Sequence, residues 1–121
     1  MFKWVKSNAT SIIVTIYPNN LTLNSLACEY FDDVRWSMIG IDEKNIKLAI
    51  KPVTKREFDL KAYPSENLHK VSIGKGYARI SNKNIISELS QLLNTELNGN
   101  KFYAEYDERE KLLIVDLEKP C

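Results

Sequence analysis

Four cations, Lys70, Lys75, Arg79 and Lys83, fall in the stretch His69 to Asn84, which contains no Asp or Glu. Cations at this density suit a polyanion, because each Lys or Arg that neutralises a backbone phosphate releases condensed counterions. The Arg79 guanidinium adds a planar fork that grips a phosphate or pairs with the edge of a guanine. Gly74 and Gly76 flank Lys75 and allow close backbone approach. Tyr77 stands at the tip of this turn, and it is the aromatic whose position suits contact with a ligand. The candidate contact set is Lys70, Lys75, Gly76, Tyr77, Arg79 and Lys83, and the candidate partner is duplex DNA. The bland alternative is a solvated hairpin face.

Other chemistries find less support. Gly74-Lys75-Gly76 is too short for a phosphate-binding loop, and no Gly-Lys-Ser/Thr follows it. One His and two distant Cys do not supply the three or four clustered ligands of a metal site, so no metal or cofactor is expected. No Ser or Cys nucleophile accompanies His69. Asp32-Asp33 and Asp42-Glu43 read as helix-end and turn carboxylates, not as an acid pair. The expectation is a protein without enzymatic activity.

The elements that carry these residues follow from periodicity and turn chemistry. Ser11 to Tyr17 is β-branched and aromatic, as strands prefer. Pro18-Asn19-Asn20 is a turn, and Leu21-Thr22-Leu23 returns. Asn24 or Ser25 caps a helix over Leu26 to Phe31, ended by Asp32-Asp33. Trp36 to Ile41 and Ile46 to Lys51 alternate about the turn Asp42 to Asn45 and form a hairpin. Thr54 to Leu68 is a connector with a short helix. Val71-Ser72-Ile73 and Ala78 to Ser81 flank the Gly-rich turn. Ile85, Ile86, Leu89, Leu92 and Leu93 make a helical stripe, and Phe102 to Tyr106 and Lys111 to Leu117 form a last hairpin. Met1 to Ser11, with Phe2 and Trp4, reads as an arm or a first edge strand.

The order repeats. Val14 corresponds to Val71 and Asn24 to Ser81 at an offset of 57 without a gap, and Asp42 corresponds to Asp107 at an offset of 65. Thr22 then stands where Arg79 does. The chain of 121 residues divides into a first β-β-α-β-β unit with its arm (1–53), a connector (54–68) and a second such unit (69–121). Each unit is too small to be stable alone, so the two should share one core. Its expected members are Ile16, Leu23, Phe31, Ile41, Leu48, Ile50, Ile73, Ile80, Leu89, Leu93, Leu113 and Val115.

Composition agrees with a globular protein, at 44% hydrophobic and 27% charged. No run of about 18 apolar residues suggests a membrane span, and Met1 to Asn8 contain no secretory h-region. Cys28 and Cys121 read as free thiols in a reducing cytoplasm. The net charge of +1 is uneven, with five basic and three acidic residues in 61–100 and an acidic excess beyond.

The sequence of strand, turn, strand, capped helix and hairpin resembles the swapped-hairpin units of AbrB-type transition-state regulators and MazE-type antitoxins. Two such units in one chain resemble MraZ-type regulators. The segments concerned are Val14 to Pro52 and Val71 to Leu117. Lys75-Gly76 followed by Arg79-Ile80-Ser81 is similar to the family's Lys-Gly-Arg-Ile-Thr run, with Tyr77-Ala78 inserted. No Pro opens either helix, and the acidic residue ahead of the family's Gly-Arg is absent. The resemblance implies an α+β, β-rich fold of two tandem units with interleaved hairpins. It also implies a cytoplasmic DNA-binding transcriptional regulator, whose first-hairpin turns lie together on one face. The second reading is a protein-interaction module, antitoxin-like or a phage-type accessory protein, with no DNA contact. A homo-oligomer or a protein partner fits either reading.

Overall fold

The computed structural model describes Met1, Phe2 and residues 11–32 and 34–121. Most of the expected arm, including Trp4, lies outside the described residues, as does Asp33. The elements are β1 (Ile12–Tyr17), β2 (Asn20–Leu23), α1 (Ser25–Cys28) with a 3-10 turn (Glu29–Phe31), β3 (Trp36–Asp42), β4 (Lys47–Val53), α2 (Lys55–Asp59) with a later 3-10 turn (Ser65–Asn67), β5 (His69–Gly74), β6 (Tyr77–Ser81), α3 (Lys83–Leu93), β7 (Asn100–Asp107) and β8 (Leu112–Pro120). Caps start the helices. The Asn24 and Asn82 side-chain oxygens accept from Ala27 N and Ile85 N, each at 3.1 Å. Thr54 and Glu57 form a reciprocal capping box on α2. Asn94 ends α3 in the left-handed region at φ 49°.

The strands close into an antiparallel barrel in the order β1-β2-β6-β5-β3-β4-β8-β7, with β7 returning to β1. This corrects the expected α+β swapped-hairpin fold. The helices are too short to form a layer, since α1 and α2 have four and five residues and α3 has eleven. Of the four seams between hairpins, β2–β6, β4–β8, β1–β7 and β3–β5, the last two complete the cylinder. The β3–β5 seam pairs only Trp36–Lys70 and Ser37–His69, so among the described residues Met38 to Asp42 have no strand partner on that side. The result is an all-β barrel with short helical connections.

Strands from 1–53 and from 69–121 are interspersed around this barrel, and one core cluster draws on both. The repeat is visible in the pairing. Val14 lies opposite Leu23 as Val71 lies opposite Ile80, and Asp42 lies opposite Lys47 as Asp107 lies opposite Leu112. Two pairings between the halves are their own images under these offsets. Thr22 faces Arg79 on β2–β6, and Ala49 faces Ile114 on β4–β8. These two pairings follow a pseudo-two-fold relation that the β1–β7 and β3–β5 seams do not keep, since Val14 lies opposite Phe102 while Ser37, the counterpart of Phe102, lies opposite His69 and not Val71.

Inward positions alternate as strands require. Ile16, Leu23, Phe31, Leu48, Ile50, Leu89, Leu113 and Val115 are completely buried, and Ile80 is nearly so. Ile41 and Leu93 are only partly buried, and Ile73, beside the turn at a barrel end, is 41% exposed.

Both second hairpins turn through a left-handed residue, Ile46 at φ 54° and Lys111 at φ 55°. An L side chain there costs about 1–2 kcal/mol. Lys111 is exposed, so Lys111→Gly is expected to raise stability by up to about 1 kcal/mol, after the added freedom of the unfolded chain is counted. Urea unfolding checks this. A lower midpoint would show that the Lys111 side chain contributes more than its backbone costs.

Candidate nucleic-acid interface

Four consecutive strands of the barrel, β1, β2, β6 and β5, contain no carboxylate. Val14, Ile16, Leu21, Leu23, Ala78 and Ile80 point inward. The residues between them therefore form the outer face. Directly paired residues share a face, so the registers place Ser72, Arg79, Thr22, Thr15 and Lys101 in one row across five strands, ending on β7. The row has a cation at its second and last positions and hydroxyls elsewhere, but Thr15 is buried, and the Thr22 hydroxyl donates to Asn20 Oδ1 at 2.7 Å. Lys101 Nζ donates to Thr15 Oγ1 at 3.2 Å. A neighbouring row carries Ser81, Asn20 and Tyr17.

Arg79 is exposed, and its guanidinium carbon lies 5.5 Å from the centre of the Tyr77 ring. That stack restrains the fork before any ligand arrives. The Tyr77 ring lies over Gly74, its cross-strand partner, where a Cβ would collide with it. Gly76 completes the turn at φ 79°, in the region only glycine enters cheaply. Tyr17, Tyr77 and Tyr103 are each more than a third exposed around this face.

The structure brings Lys70, Tyr77 and Arg79 onto adjacent strands β5 and β6, with Lys75 and Gly76 in the turn that joins them. Lys83 opens α3 directly after β6. Carboxylates stand beside the turn. Glu29 and Asp32, from the 3-10 turn after α1 and the residue that follows it, line a shallow pocket with Ser25, Cys28, Ile73 and Gly76. Burial, and then Asp32 and Glu29, push the Cys28 thiol up.

The expectation that both first-hairpin turns lie together is overturned. β2 and β6 run antiparallel with Asn20 opposite Ser81 and Leu23 opposite Ala78. The turns at Pro18-Asn19 and Lys75-Gly76 therefore sit at opposite ends of this strand pair. Thr15, Thr22 and Lys101 belong to the row and are not among the cations read from the sequence. The offset of 57 put Thr22 in correspondence with Arg79, and it was the only signal for any of them.

His69 has a separate role. Burial lowers its pKa from the ordinary 6.5. Its Nδ1 lies 3.1 Å from the Asn82 side-chain nitrogen, and its carbonyl accepts from Ser37 Oγ at 3.1 Å. Among the described residues, no group of three or more His, Cys, Asp or Glu could hold a metal ion. Compared with protein-family models, curated proteins and solved structures, the chain gives no match.

Proposed function

We propose that this protein is a DNA-binding regulator that contacts duplex DNA across the outer face of β1, β2, β6 and β5. The observation that carries the reading is the absence of carboxylates from four consecutive strands that present Lys70 and Arg79, with Lys75, Lys83 and Lys101 around them. Phosphates meet Lys70, Arg79 and the exposed Ser72 hydroxyl there without an opposing charge on the same strands. Hydroxyls and lysines position a duplex backbone, and Arg79 is the side chain suited to read a base edge. The reading requires no covalent chemistry.

A protein-interaction module is the second reading, and one observation favours it. On α2 and the residue after its end, Phe58 and Leu60 are 38% and 69% exposed, and the Phe58 ring stacks on Trp36 with centroids 5.0 Å apart. Exposed apolar clusters mark partner surfaces.

Fluorescence anisotropy with mixed-sequence duplexes at two salt concentrations separates the readings. The expected result is binding whose affinity falls steeply as salt rises, with a slope set by the number of phosphates neutralised. No binding at low salt and micromolar protein would end the DNA reading in favour of the interaction module.

A further inference from the structure

We propose that His69 and Asn82 form a pH-operated latch that fastens the start of α3 to the start of β5. The inference goes beyond the DNA reading and does not rest on it. Asn82 uses both ends of its amide. Its oxygen accepts from Ile85 N at 3.1 Å and caps α3. Its nitrogen must then donate, and it faces His69 Nδ1 at 3.1 Å. Nδ1 accepts that hydrogen bond, so the ring is neutral with its proton on Nε2.

Protonation places a hydrogen on Nδ1, and two donors then face each other. Rotating the Asn82 amide restores the contact to His69, but it turns the NH2 group toward Ile85 N–H and removes the cap. The helix start and the His69 proton therefore compete for one amide oxygen. His69 and Asn82 are both partly buried, so water does not freely replace either bond.

The charged groups around the pair are few. Glu66, before β5, and Lys51, on β4, line the same shallow pocket as His69. Lys70 and Lys83 follow His69 and Asn82 along the chain. Ser37 on β3 meets the His69 carbonyl, not the ring. Burial is the cause that lowers the ring's pKa. The folded state thus binds the proton less readily than the unfolded chain does. The stability associated with neutral His69 is complete above about 6.5 and is lost as pH falls through the folded-state pKa.

The test is NMR on the full chain between pH 7.5 and 5. In the parent, His69 should titrate below about 6.5. The protection factor of the Ile85 amide should fall about fivefold with the same midpoint, the effect of losing a helix cap. Asn82→Asp keeps a capping oxygen but gives the imidazole an acceptor that favours its charged form. In that variant His69 should titrate above about 6.5, and Ile85 protection should hold through the titration. The latch is overturned if Ile85 protection in the parent ignores the His69 titration. It is equally overturned if Asn82→Asp leaves the His69 midpoint where it was.

Discussion

Truncating Leu89 to alanine is expected to lower the stability of the barrel by about 2–5 kcal/mol. Leu89 is fully buried on α3, one turn from Ile86, which is 4% exposed. Both belong to the cluster that contains Leu21, Leu23 and Ile80 from the strands. Removing the branched end of Leu89 leaves a cavity whose walls are held by hydrogen-bonded strands and collapse poorly. A domain of this kind has about 5–15 kcal/mol in total, so the loss shows as a large drop in melting temperature. A melt of Leu89→Ala that overlays the parent would show that the inner face of α3 is not part of the core.

Arg79→Ala is expected to weaken binding at a preferred duplex site by about 1–3 kcal/mol, or roughly 5- to 150-fold, and to relax sequence preference. Arg79 lies opposite Thr22, on the middle strand pair of the carboxylate-free face. It is also the cation held by a ring stack, so little order is lost when it grips a base. Lys75→Ala should weaken all sequences about equally and make the salt slope shallower by about 1 or less. Glu29 and Asp32 line the shallow pocket beside Gly76 of that turn. Lys119→Ala, near the end of β8, is the control and should change little. Anisotropy titrations of the three variants check the order. If Arg79→Ala behaves as Lys119→Ala does, the binding face has been placed wrongly even though binding itself stands.

Local signals in the sequence carried the hairpins. The turn residues Pro18-Asn19 and Gly76, the capping residues Asn24 and Asn82, and the alternation of Leu48 and Ile50 act within a few residues, whereas Ile46, expected to start the strand, is the left-handed turn residue before it. Closure of the barrel depends on partners far apart in the chain. Ile12 pairs with Ala104, and nothing near either residue encodes that choice. The same limit divided the candidate site. Lys70 to Lys83 is one window and was legible, whereas Thr15 and Lys101 meet across 86 residues. Ile73 shows a finer limit. Its parity on β5 points inward, but its place beside the turn leaves it 41% exposed.

The two closing seams are unequal. β1 and β7 are registered from Ile12–Ala104 to Ile16–Asn100, whereas β3 and β5 share Trp36–Lys70 and Ser37–His69. A further hydrogen bond, Val71 N to Arg35 O at 2.8 Å, extends the second seam by one step. Sub-global opening follows the line with the fewest bonds to break. Opening is therefore expected first between β3 and β5, and it would turn the cylinder into a curved ribbon with two bare rims. Each rim offers unpaired N–H and C=O groups to any extended segment that arrives before the seam recloses.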